Sequence, residues 1–188
     1  KYSIRDLEIV LTSANDYVDL SLASGFEETE FYWSRGNDFI KGKNGETDIY
    51  FYGYIDPVGV SLALPESGSS VTVSDNYSNT LNIASDVFQI RGSQYDDALV
   101  GNSMPNYLNG NGGEDTFTGN GGLDIFHVSF DGYVIISDYE AGERITIDAD
   151  GNYGLDGITE NNLSSYINAR YDINKNETII SVKSDTFD

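Results

Sequence analysis

The chain has 188 residues, with 31 Asp and Glu against 10 Lys and Arg, a formal net charge of −21. That balance excludes nucleic acid and anionic membrane surfaces, which need clustered Lys and Arg, and leaves cations as the natural partners. With no Cys and one His, His127, neither a disulfide nor a multi-His zinc or iron centre can form within it. A metal site here is therefore built from oxygen and suits a hard ion such as Ca2+.

In chain order, the first fifty residues carry echoes of a repeat that becomes plain only later. Asn15-Asp16-Tyr17-Val18 and Gly36-Asn37-Asp38-Phe39-Ile40 each set an acidic turn residue two places before an aliphatic one. Gly42 to Ile49 reads as a further unit with one residue inserted before its Asp. We expect degenerate solenoid coils here, with Asp38 and Asp48 as candidate ligands. Trp33 stands among Phe31, Tyr32, Tyr50, Phe51, Tyr52 and Tyr54, a group that fits a core, a ladder along strands, or a platform for sugar rings. Alternation of Val58, Val60, Leu62 and Leu64, and of Val71 and Val73, predicts strands with one buried face. No run reaches the length of a membrane span, residues 1–20 carry no basic-then-apolar leader, and the strand-like start suggests a segment of a longer protein.

From residue 92 four nine-residue units run without a gap to His127: GSQYDDALV, GNSMPNYLN, GNGGEDTFT and GNGGLDIFH. Gly92, Gly101, Gly110 and Gly119 open them. Asp97, Asn106, Asp115 and Asp124 hold the sixth place, and Leu99, Leu108, Phe117 and Phe126 the eighth. Six residues rich in Gly, Asn and Asp make a turn that visits positive φ. The next three make a strand whose middle residue points inward. Two units complete one coil, so turns eighteen residues apart stack, Asp97 beside Asp115 and Asn106 beside Asp124. Carboxylates held that close repel. Ca2+ between the turns relieves the conflict, bound by side-chain oxygens and main-chain carbonyls. The candidate ligands, for two or more ions, are Asp97, Asn106, Asp115 and Asp124 with the turn residues Gly92, Gln94, Gly101, Ser103, Gly110, Gly112, Gly119 and Gly121. The expected fold is all-β, a parallel β-roll or β-helix. Residues 1–91 form degenerate coils, 92–127 the repeat block and 128–188 a C-terminal cap, in one continuous solenoid.

This nine-residue pattern resembles the RTX (repeats-in-toxin) family of bacterial proteins exported by type I secretion, most specifically over residues 92–147. Val134 to Ile145 is similar to the segment that closes the roll in that family, and the resemblance gives Asp138 a share in the last calcium site. Two departures, Asn106 for Asp and Met104 for Gly in the same turn, imply a weaker or distorted site with Asp124. Residues 158–187 resemble the C-terminal region of long RTX adhesins. There Thr159 to Ile167 reads as a short helix with Thr159 as N-cap and Leu163 and Ile167 on one face. Thr178 to Val182 reads as a closing strand, and the segment would seal the open end of the solenoid. The resemblance implies a calcium-binding module of a large adhesin or toxin, secreted by a Gram-negative bacterium or displayed on its surface. Such a module folds on Ca2+ outside the cell, works with the type I secretion apparatus, and does not insert into membranes.

We expect no catalysis from this chain. Asp96 and Asp97 are adjacent within one turn, unlike the separated acid and base of glycoside hydrolysis. His127 takes the ninth place of its unit, expected on the outer strand face, with no nucleophile at triad spacing. Two alternatives stay open. One is a polysaccharide-binding module whose aromatic group around Trp33 holds a host or matrix glycan. The other is an auxiliary calcium module of a secreted protease, lipase or epimerase.

Overall fold

A computed structural model describes residues 6–24, 28–42, 47–51, 59–66, 69–74, 77–83, 87–129, 132–147, 167–172 and 177–182. These form strands β1 to β17, with no helix among them. One wall is a parallel sheet in the order β1 (Asp6–Val10), β3 (Glu28–Tyr32), β5 (Thr47–Tyr50), β9 (Val87–Arg91), β11 (Tyr107–Asn109), β13 (Ile125–Val128) and β15 (Arg144–Ile147). Between visits to this wall the chain enters two shorter sheets. The first runs β2 (Tyr17–Asp19), β4 (Asn37–Lys41), β8 (Thr80–Ile83) and β7 (Val71–Ser74). The second runs β6 (Ser61–Ala63), β10 (Ala98–Val100), β12 (Gly113–Thr118), β14 (Gly132–Ile136), β17 (Glu177–Val182) and β16 (Ile167–Asp172). The protein is a parallel β-solenoid, the β-roll that the repeat period predicts.

Register follows the repeat. Leu99 pairs with Phe117 and Leu108 with Phe126. All four side chains are fully buried, as the eighth place requires, each contributing roughly 1.5–3 kcal/mol of apolar burial. The rings of Phe117 and Phe126 stack at 6.4 Å across the core. Upstream, Ile40, Ile49 and Ile90 fill the same layer. Val60, Leu62, Leu64 and Val73 are buried as their alternation predicts, while Val58 lies outside the described residues. After β5 the regular winding breaks: the chain starts the second short sheet at β6, closes the first with the antiparallel pair β7–β8, and only then returns to β9.

Past residue 127 the pairing offset grows from eighteen to nineteen, Phe117 meeting Ile136 and Phe126 meeting Ile145. One extra residue between β13 and β14 therefore shifts every later repeat position. The expected closing strand is β17, which pairs antiparallel with β14, so that β14 is not left as an edge. Ile167, expected in a helix, instead opens strand β16, which pairs with β17. The rest of that expected helix, Thr159 and Leu163 included, lies outside the described residues. His127 is not on the surface; it is 7% exposed. Tyr107 stacks on it at 5.7 Å and Thr146 Oγ1 lies 3.0 Å from its Nδ1. On a stacked parallel sheet the outward side chains of successive coils cover one another.

Candidate functional site

Where the sixth residue is Asp, as at Asp38, Asp97, Asp115 and Asp124, its carboxylate reaches to the previous coil and accepts the main-chain N–H of the corresponding residue there. Asp38 Oδ1 accepts from Asp16 N–H at 2.9 Å, and Asp97 Oδ1 from Val60 N–H at 2.6 Å. Asp115 Oδ1 accepts from Asp97 N–H at 2.9 Å, and Asp124 Oδ1 from Asn106 N–H at 2.8 Å. The structure thus brings together the two predicted pairs, Asp97 with Asp115 and Asn106 with Asp124. It also extends the pattern to Asp16 and Asp38, which the sequence showed only as an echo.

The second oxygen separates degenerate units from intact ones. In the first two repeat units the sixth residue closes its own turn. Asp97 Oδ2 accepts Ser93 N–H at 2.7 Å, and Asn106 Oδ1 accepts Asn102 N–H at 2.9 Å. Asn106 then donates its amide to the Val87 carbonyl at 3.0 Å, which a carboxylate could not do. Upstream, Asp38 Oδ2 is taken by the indole N–H of Trp33 at 3.0 Å. The third and fourth units differ, because Asn111 and Gly113, and Asn120 and Gly122, carry their turns through positive φ. That path, open at little cost to Gly and Asn, aims the second residue's N–H elsewhere. Asn111 N–H donates to Asn109 Oδ1 and Asn120 N–H to Asp138 Oδ2, each at 2.8 Å. Neither Asp115 nor Asp124 closes its own turn in this way, and Asp124 Oδ2 is buried with no hydrogen-bond donor.

The opening glycines follow from the same geometry. At Gly110 a Cβ would collide with Asp115 Oδ2, and at Gly92 with Asp97 Oδ2. The carbonyls of Gly92 and Gly101 accept the side-chain amides of Asn111 and Asn120, at 2.6 and 2.8 Å. Gly112 and Gly121 lie over Gln94 and Ser103 one coil earlier with ordinary spacing. Gln94 is exposed, and Ser103 is held through its N–H and hydroxyl by Glu66, at 3.1 and 2.5 Å.

At the closing end Asp138 accepts the N–H groups of Gly119 and Asn120, both at 2.8 Å. The residue that stacks on Asp124 is Glu143. Arg144 N–H donates to the Asp124 carbonyl as Ile125 N–H does to that of Asn106, which puts Glu143 in the sixth place. Sequence reasoning missed Glu143 because the extra residue after His127 hides its phase. Counting back two from the inward Ile145 would have found it. Glu143 is buried against Asp124, so two carboxylates meet where one oxygen has no donor.

The electrostatics match this crowding. Burial pushes the Asp115 carboxyl up to about 8, with Asp97 and Asp96 adding repulsion and the Asp97 N–H opposing it. Burial likewise lifts Asp97 to about 6, against the N–H groups of Val60 and Ser93. Burial raises both Asp124 and Glu143; their mutual contact lowers Asp124 and raises Glu143 further, and the charge of Asp138 raises both. The Lys41–Asp19 ion pair, 4.0 Å on the surface, lies apart from these turns. Among the described residues no Lys or Arg pairs with these carboxylates, which leaves protons or an added cation to balance their charge.

Two other groups resolve differently from one another. Trp33, Phe31 and Phe51 are core, while Tyr32 and Tyr50 stack at 4.6 Å as a ladder; Tyr52 and Tyr54 lie outside the described residues. Asp48 does not enter a turn. Thr47 takes the sixth place beneath Gly42, and Asp48 pairs with Glu30 on the other face of the strand.

No family model matches the sequence, and no curated protein matches it.

Proposed function

We propose that this chain is a calcium-dependent folding module of a large secreted bacterial protein, a binding and structural unit and not a catalyst. The observation that carries the reading is the contrast between turns. The first two units satisfy their sixth-place side chain within their own turns, whereas the fourth leaves an oxygen of Asp124 buried without a donor where it meets the carboxyl of Glu143. These are the residues fitted to a hard cation: Asp115 with the Asp97 turn at one end, and Asp124, Glu143 and Asp138 at the other. Ca2+ supplies two positive charges and accepts roughly six to eight oxygens in flexible geometry. Asn106, with its amide committed to Val87, holds its coil without adding charge.

The net charge of −21 gives this arrangement a direction. Where free calcium is scarce, stacked carboxylates oppose folding and the chain stays extended enough for export. Outside the cell, calcium near millimolar levels fills sites of the extracellular affinity class and drives folding. The resemblance of residues 92–147 to RTX repeats supports type I secretion from a Gram-negative bacterium, with an adhesin or toxin as the parent. Calorimetric titration of the chain with Ca2+ and with Mg2+ tests the proposal. Ca2+ is expected to bind with dissociation constants of about 10⁻⁴–10⁻³ M and to raise the β signal in step. Mg2+, bound to its tight octahedral water shell, is expected to do neither. Absence of Ca2+ binding at millimolar concentration would overturn the proposal.

A further inference from the structure

A second acidic group lies on the outer face of the seven-stranded sheet, away from the turns. Glu28 and Glu30 alternate outward on β3, and β5 sets Asp48 beside Glu30. One carboxylate oxygen from each of the three lies within 4.8 Å of the others. The group exists because Thr47 fills the sixth place of its unit, which turns the following Asp48 outward. Asp48 is nonetheless 1% exposed, and its Oδ1 is buried with no hydrogen-bond donor. Its carboxyl group meets that of Glu28, and burial with the contact and charge of Glu28 raises its pKa, so the pair holds together only with a proton or a cation between the two groups. Glu30 is held in place: the hydroxyl of Tyr32 donates to Oε2 at 3.1 Å and that of Tyr50 to Oε1 at 3.0 Å. Gln89 Nε2 in turn donates to the Tyr50 hydroxyl at 3.2 Å. Arg91 lies over the rings of Tyr50 and Tyr107, at 5.3 and 5.8 Å, and its charge offsets part of the repulsion at Asp48 without coming within ion-pair distance of it.

We propose that Glu28, Glu30 and Asp48 form a lateral site for a hard divalent cation, Ca2+ in particular, separate from the turn sites. The chemistry suits such an ion: three carboxylates, one with an orphaned buried oxygen, and two half-buried glutamates open enough for water to complete the shell. The site ties β3 to β5 just before the winding breaks and β9 pairs with a register shift at Thr47 and Asp48. There it braces the coil from which the chain departs before β8 and β9 return to pair with β4 and β5.

The test counts Ca2+ bound per full-length chain, by equilibrium dialysis at neutral pH, for the unaltered chain and for Glu28→Gln, Asp48→Asn and Asp115→Asn. Glu28→Gln and Asp48→Asn are each expected to bind one Ca2+ fewer while keeping the calcium-induced β signal. Asp115→Asn reports on the turns alone, and combining it with Glu28→Gln is expected to add the two losses. If Asp48→Asn fails to fold, the half-buried Glu28→Gln decides. An unchanged count in Glu28→Gln overturns the lateral site, leaving a proton shared between Glu28 and Asp48. An unchanged count in Asp115→Asn alone would fault the turn sites and leave the lateral one standing.

Discussion

Replacing Asp115 by Asn separates that side chain's charge from its shape. Burial holds the Asp115 carboxyl at about 8 in the folded chain, against an ordinary value of 3.8. At pH 7 the calcium-free fold therefore keeps a proton that the unfolded chain would release. Each pH unit above 3.8 costs about 1.4 kcal/mol, or about 4 kcal/mol at pH 7. Because the folded value is raised, the contribution is fully present below about pH 4 and is lost as the pH rises toward 8. Asn carries no such penalty, and Asn106 already occupies the same place in a neighbouring unit with both ends of its amide bonded. In excess chelator at pH 7, Asp115→Asn is expected to be more folded than the unaltered chain, by up to about 4 kcal/mol. The difference should vanish near pH 4. In saturating Ca2+ the order should reverse, since the variant has lost an anionic ligand. Circular dichroism with urea unfolding under the three conditions reads all of this. A variant less stable by the same amount in all three would refute the reasoning, because the carboxylate would then act only as a hydrogen-bond acceptor for Asp97.

The turn glycines offer a paired test: Gly110→Ala drives a Cβ into Asp115 and should cost roughly 1–3 kcal/mol, whereas Gly112→Ala meets only ordinary contacts on Gln94. Equal urea midpoints for the two would contradict the packing described. Glu143→Gln should raise the Ca2+ concentration at the folding midpoint, while Glu140→Gln, on the exposed turn beside it, should not. Phe117→Ala, which empties a fully buried ring site against Phe126, should cost about 3–5 kcal/mol, read as a fall in urea midpoint in saturating Ca2+.

The roll and the stacking of its turns were legible because two constraints repeat at one period: an inward apolar residue at the eighth place and a short acidic or amide side chain at the sixth. Where the chain keeps that period, the inward residues and the pairing of Asp97 with Asp115 and of Asn106 with Asp124 fall where the sequence places them. What stayed hidden lies where the count slips. The extra residue after His127 concealed Glu143, and the choice of Thr47 over Asp48 for the turn depends on which side chain packs under Gly42, a steric matter with no local signature. His127 looked exposed because strand alternation gives the face of a side chain but not what the next coil lays over it. The difference between self-satisfied and open turns was partly visible, in Met104 and Asn106. The positive φ of these turns was expected from their Gly and Asn; that it turns the N–H groups of Asn111 and Asn120 away from Asp115 and Asp124 emerges only with the backbone.

Far-UV circular dichroism of the full chain at pH 7, first in excess chelator and then with Ca2+ added to millimolar levels, tests most directly whether the fold depends on its cation. The stacked, buried carboxylates predict a largely unfolded chain in chelator that turns β-rich in a cooperative step with Ca2+ and not with Mg2+. The same β-rich spectrum in chelator as in Ca2+ would contradict that dependence.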